Sequence, residues 1–184
     1  MCKLKSALIL KDRVFITDYD SHSEMLDELG IEDTRANAER LFIRAELYPK
    51  DNDVFTDIST WVFNVDQDIR PEWFVEEVDK ARMIEAVKEW AKTHIFIGVN
   101  NLKISSGKNI YIKDCKDVEI GNSTVEAYDN STVKAWGNST VIKNSYSSFK
   151  KSNLILCDNA TFKDCLTKTI YQSGGWKLVS VEGK

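Results

Sequence analysis

Two carboxylates two residues apart, Asp66 and Asp68, are the first candidates for chemistry in this 184-residue chain. Residues two apart on a strand share a face, so the pair could hold a metal ion or act as acid and base. A turn leading into a helix at Pro71 accounts for them more simply, because Asp favours helix starts. Asp51-Asn52-Asp53 with Asp57 resembles a calcium loop, yet the glycine and distal glutamate of an EF-hand are missing. His22 and His94 are the only histidines. Cys2, Cys115, Cys157 and Cys165 form no C-x-x-C pair, so no zinc site is expected and buried free thiols are. No nucleophile elbow, P-loop or dinucleotide-binding glycine motif occurs. The expectation is a protein with no catalytic residues, no metal and no cofactor. The alternative is a hydrolase or nucleotide-binding domain in residues 1–98 built on Asp66 and Asp68.

A second kind of chemistry is recognition, and it comes from a repeat. Ser123-Thr124-Val125-Glu126-Ala127-Tyr128-Asp129-Asn130 is followed by Ser131-Thr132-Val133-Lys134-Ala135-Trp136-Gly137-Asn138, and Ser139-Thr140-Val141-Ile142 opens a third copy. Weaker copies flank them, so the pattern runs from Asn100 to Tyr171. Within each copy the period is two, which a strand with one buried face requires. The closing Asp-Asn or Gly-Asn suits a corner. Inward anchors run Leu102, Ile110, Val118, Val125, Val133, Val141, Phe149, Leu154 and Phe162. This predicts a short parallel β-solenoid of eight-residue repeats, with Lys143 in conflict because it falls on a small inward position. Asn122, Asn130 and Asn138 match the glycosylation sequon, but the repeat itself explains them.

If Val and Ala point inward, Thr124, Glu126, Tyr128, Thr132, Lys134 and Trp136 point outward. Such a set has the make-up of a binding hot spot, and the two aromatics could equally be covered by packing.

Residues 1–98 read as a small α+β domain that caps or partners residues 99–184, the solenoid with its C-terminal strand. Ala7–Leu10 and Val14–Ile16 form a hairpin around Lys11-Asp12-Arg13. Ser21-His22-Ser23-Glu24 is a capping box opening a helix that ends at Gly30. Residues 41–48 and 61–65 alternate as strands. A helix starting at Pro71 buries Val78, Ala81, Ile84, Val87 and Ala91, leaving Glu76, Glu77, Asp79, Glu85 and Glu89 as an acidic face.

The repeat resembles short-repeat proteins with tandem Gly-Asn-Ser-Thr-Val units that are common in bacteriophages and gut bacteria. The match is strong from Gly121 to Val141, and Val65-Asp66-Gln67-Asp68 and residues 88–94 resemble the domain that precedes such repeats. A looser similarity to pentapeptide-repeat proteins, some of which bind gyrase as DNA mimics, is weakened by the period of eight. The resemblance implies a phage context rather than a reaction.

Charge is asymmetric. Residues 1–98 carry 13 Lys and Arg against 21 Asp and Glu, and residues 99–184 carry 12 against 8. A pair of solvated surfaces that also attract each other accounts for this most simply; the sharper alternative is an acidic face that competes for a basic groove on a nucleic-acid-handling protein, while direct nucleic-acid binding is not expected. No export signal or membrane-spanning run is visible, so a cytoplasmic protein of a bacterial host is expected. Together these features point to a non-enzymatic, phage-derived inhibitor of a host nuclease, topoisomerase or immune-signalling protein. A module that self-associates into homo-oligomers through the repeat is the alternative.

Overall fold

The computed structural model describes residues 4–173 and 179–180; Cys2 and residues 174–178 and 181–184 of the second expected domain lie outside them. The chain divides into two compact units, residues 1–92 and 93–184.

The first unit is an antiparallel sheet with helices. β1 (Lys5–Leu10) pairs with β2 (Val14–Phe15) across the expected tight turn. β3 (Phe42–Tyr48) and β4 (Val62–Val65) complete the order β2-β1-β3-β4. Every residue of β1 is buried, so both faces of the sheet are covered. Leu8, Leu10 and Phe42 pack with Met25 and Leu26 of α1 (His22–Glu28). Ser21 caps α1 by accepting the Glu24 amide at 3.3 Å, and Gly30 takes the left-handed angle (φ 65°) that ends it. A one-turn α2 (Arg35–Ala38), capped by Thr34, lies between α1 and β3 and was not expected.

The other face of the sheet meets α3 (Glu76–His94). Lys5 is fully buried there. Its ammonium donates to Thr17 O and Asp20 Oδ1, both at 2.8 Å, and stands 4.8 Å from the Trp90 ring. A charge taken out of water needs that partner set.

Two expectations about α3 are overturned. It begins at Glu76, so Pro71 precedes it by a turn instead of opening it. Its inward face is Asp79, Met83, Val87 and Trp90, whereas Val78 is 57% exposed and Ala81 is exposed. Asp79 is therefore not on the acidic face. It is buried because it bonds the Val75 amide (2.9 Å) and Arg82 (2.6 Å), and Arg82 in turn donates to Leu10 O.

The second unit contains the repeat. β5 (Ile95–Ile97), β7 (Gly107–Lys113), β9 (Ser123–Tyr128), β11 (Thr140–Lys143), β13 (Thr161–Asp164), β14 (Thr169–Gln172) and β15 (Val179–Ser180) form one seven-stranded sheet. β6 (Lys103–Ile104), β8 (Val118–Gly121), β10 (Val133–Trp136) and β12 (Leu154–Leu156) form a four-stranded, wholly parallel one.

The expected fold class is thereby corrected. The chain is mixed α/β, with three α-helices and three sheets among the described residues, not an N-terminal domain followed by a single β-solenoid of eight-residue repeats. Successive eight-residue copies go to different sheets, so Val125 pairs with Val141, and Val133 with Val118 and Leu154. The seven-stranded sheet also ends with β14 and β15 running antiparallel. The period of eight reports inward packing, which every copy shares, and does not report which copies are neighbours.

Val118, Val125, Val133, Val141, Phe149 and Phe162 from both sheets lie in one core. Serines repeat with them: Ser123, Ser131, Ser139 and Ser147 are all buried. Ser131 Oγ accepts the Cys115 amide (3.2 Å) and donates to Tyr128 O, and Ser147 Oγ donates to Ala127 O. The corners use left-handed backbone at Asp114, Asn122 and Asp129, which Asn and Asp tolerate. Asn122 Oδ1 accepts the Asn138 amide (3.0 Å), and Asn130 donates to Asp114 (3.1 Å), so these asparagines tie one corner to the next. Lys143 does point inward, and Asp164 on the adjacent strand meets it at 3.6 Å.

Candidate functional site

The Asp66-Gln67-Asp68 segment is organised around its middle residue. Gln67 Oε1 accepts the Arg44 amide (2.8 Å) and its Nε2 donates to Phe42 O (3.2 Å), so one side chain pairs with the β3 backbone just past β4. Asp66 stands 3.7 Å from Nδ1 of buried His22, whose Nε2 faces Ala45 O at 3.2 Å. Asp68 is exposed and joins neither contact. Both aspartates thus flank a backbone brace. Asp53 and Asp57 serve turns: each carboxylate accepts an amide two residues on. That bond to Ser59 holds the Asp57 carboxyl below its ordinary pKa. Among the described residues no three His, Cys, Asp or Glu side chains gather as metal ligands would.

The six residues expected to form one binding patch are divided between the two sheets of the second unit. Thr124, Glu126 and Tyr128 lie on β9, and Lys134 and Trp136 on β10 with Thr132 just before it. On β9 the Tyr128 hydroxyl donates to Glu126 (2.9 Å), and Thr124 stands in register with Thr140. On β10 the register runs Lys103, Glu119, Lys134, Ile155 across the four strands, with Lys103 at 3.3 Å from Glu119. A shallow groove of about 520 Å³ crosses these strands, bordered also by Asp117, Thr132 and Asn153. Trp136 is half-buried. Its indole leans over Gly121 of the neighbouring strand, where an added Cβ would meet Nε1 at 2.5 Å.

A second exposed surface lies on α3 in the first unit, and the sequence pattern assigned half of it to the core. Val75 is 53% and Val78 57% exposed. With Ala81 and Val14 the latter floors an open groove of about 790 Å³ whose border is mixed in charge: Asp12, Glu77 and Glu85 with Arg13 and Arg82. Of the expected acidic face, Glu76, Glu77, Glu85 and Glu89 are exposed. Glu76 pairs with Arg70 (2.7 Å), Glu89 with Lys92 (2.5 Å) and Glu85 with Lys88 (2.8 Å). The Glu85 bond raises the Lys88 pKa above its ordinary value. The signal that could have placed this surface is the pairing of Asp79 with Arg82 at i,i+3: an acid with a cation one turn away can be buried, and that rotates the valines outward.

No protein-family model, curated protein or solved structure matches the chain. Among the described residues no helix is long and apolar enough to cross a membrane.

Proposed function

We propose that the protein is a non-enzymatic inhibitor, of the kind phages direct at host defence or nucleic-acid-handling proteins in the bacterial cytoplasm. It engages its target through α3. The observation that carries this reading is the exposed apolar strip of Val75, Val78 and Ala81 framed by Glu76, Glu77, Glu85 and Glu89. Val75, just before α3, and Val78 and Ala81 on it leave adjoining apolar groups in water, which a partner's surface can cover. Apolar residues at the centre with charges around them are the anatomy of an interface core and rim. Glu76, Glu85 and Glu89 are paired with Arg70, Lys88 and Lys92, so the rim is mixed in charge and sets register and partner choice more than affinity.

The test is affinity capture from host lysate with wild type and Val78→Glu, followed by titration of the captured protein after its purification. Loss of a central contact should weaken binding by about thirtyfold, near 2 kcal/mol. Titration of the purified target should also inhibit its activity with wild type and not with the variant. Equal capture by the two proteins would remove the α3 surface from consideration.

A further inference from the structure

The four-stranded sheet of the second unit has ligand-binding chemistry of a different kind, and it does not depend on the reading of α3. Its outer face presents three residue columns. The first holds Asp117, Thr132 and Asn153, and the Thr132 hydroxyl accepts the Asp117 amide at 2.8 Å. The second holds Lys103, Glu119, Lys134 and Ile155 in strict register. The third holds Gly121 and Trp136. The groove over the first two columns therefore alternates donors and acceptors from Lys103 to Lys134 and ends on the exposed, apolar Ile155. Its charges cancel, two lysines against one Asp and one Glu. It crosses four strands, or three spacings of about 4.8 Å, near 14 Å in all.

These properties select a ligand. A polyanion, nucleic acid included, would meet Glu119 and Asp117 as well as the lysines, and gains little from a surface without net charge. A small apolar molecule would strand the polar groups unpaired. An elongated neutral molecule dense in hydroxyls satisfies both donors and acceptors, and a sugar ring adds an apolar C–H face that an indole can cover. The indole is placed for this. Gly121 stands where the sibling copy has Tyr128, and the missing side chain lets Trp136 lie over β8, in the column next to Glu119 and Lys134 and bordering the groove without lining it.

We propose that this face binds a neutral, unbranched glycan laid across the strands. One hexose packs against Trp136, and its neighbours are hydrogen-bonded by Glu119, Lys134 and Asn153. The rigid parallel sheet fixes those groups before the ligand arrives, which limits the entropy lost on binding.

The experiment titrates the full-length protein with cellohexaose, maltohexaose and an N-acetylglucosamine hexamer, with polygalacturonate as the charged comparison, by calorimetry and amide NMR shifts. One neutral oligomer should saturate with a Kd at or below about 1 mM. Trp136→Ala should weaken it roughly tenfold, and Glu119→Gln, which keeps size and fold, by several-fold. Polygalacturonate should not compete. The proposal is overturned if no neutral oligomer binds, if polygalacturonate binds in its place, or if both variants bind as wild type does. None of these outcomes bears on Val78→Glu, whose target lies on α3.

Discussion

Ser123–Asn130 and Ser131–Asn138 are almost the same eight residues, yet they do different things. Both bury their valine and alanine completely or nearly so, and both bury the leading serine. Outward they diverge. The first copy belongs to the seven-stranded sheet, where Tyr128 turns back to Glu126 of its own strand (2.9 Å). The second belongs to the four-stranded sheet, where Trp136 crosses to Gly121 of the next strand. The inward half of a repeat is fixed by a core that all copies share. The outward half is fixed by whichever strand lies alongside, and that neighbour comes from fifteen, sixteen or, for β12 beside β10, twenty-one residues away instead of eight.

The largest effect that could break this comparison lies in the core rows at the C-terminal side of each sheet. Phe162, in register with Val141, is 1% exposed, 6.1 Å from the Phe149 ring and 5.9 Å from that of Tyr171. Leu154, in register with Val133, is only half-buried. Phe162→Ala should therefore cost about 3–5 kcal/mol of unfolding free energy. Leu154→Ala should cost less than about 2 kcal/mol, because a side chain that keeps water contact has less transfer energy to lose. Urea unfolding of the two variants measures both. Equal losses would mean that the two sheets hold the shared core equally tightly, contrary to the burial.

A smaller effect sharpens the outward difference. Gly121→Ala puts a methyl 2.5 Å from Trp136 Nε1, so either the indole or the strand must shift. Overpacking of that kind costs about 1–3 kcal/mol. The variant should also lose the glycan affinity assigned to the face while keeping the tryptophan itself. Thermal unfolding and an oligosaccharide titration read the two consequences separately. Unchanged stability and affinity together would show that the ring moves aside freely and that its seat on Gly121 has no role.

The same contrast marks what the amino-acid pattern could convey. The hairpin of β1 and β2, the Ser21 cap, the stop at Gly30 and the inward valines were legible because each depends on residues within one turn or one strand. The division of the copies between two sheets was not, since alternation is identical on both walls. Nor was the reversal at β14, whose pairing of Phe162 with Tyr171 leaves no trace in a period of eight. The face of α3 was only partly legible: Val87 is buried as expected, but Val78 and Ala81 are exposed, because they and the inward Asp79 and Met83 both fit helical spacing with Val87. Asp79 is buriable because Arg82 and the Val75 amide together satisfy its carboxylate. At Gly121 a faint signal existed: a glycine stands where two sibling copies carry an aromatic, which is room for a neighbour's ring.

The finest test separates the sibling aromatics by a single atom. Tyr128→Phe removes the hydroxyl that bonds Glu126 and leaves the ring in place. A hydrogen bond to a charged carboxylate contributes about 1.5–3 kcal/mol when buried, and solvent access at this half-buried site reduces that to about 1 kcal/mol. Unfolding free energy should fall by that amount, and oligosaccharide affinity should not change, because β9 is not part of the groove-bearing sheet. A drop in affinity with Tyr128→Phe as large as that from Trp136→Ala would mean that ligand spans both sheets. The two copies would then act as one surface after all, and the neutral groove on the four-stranded sheet would be only part of it.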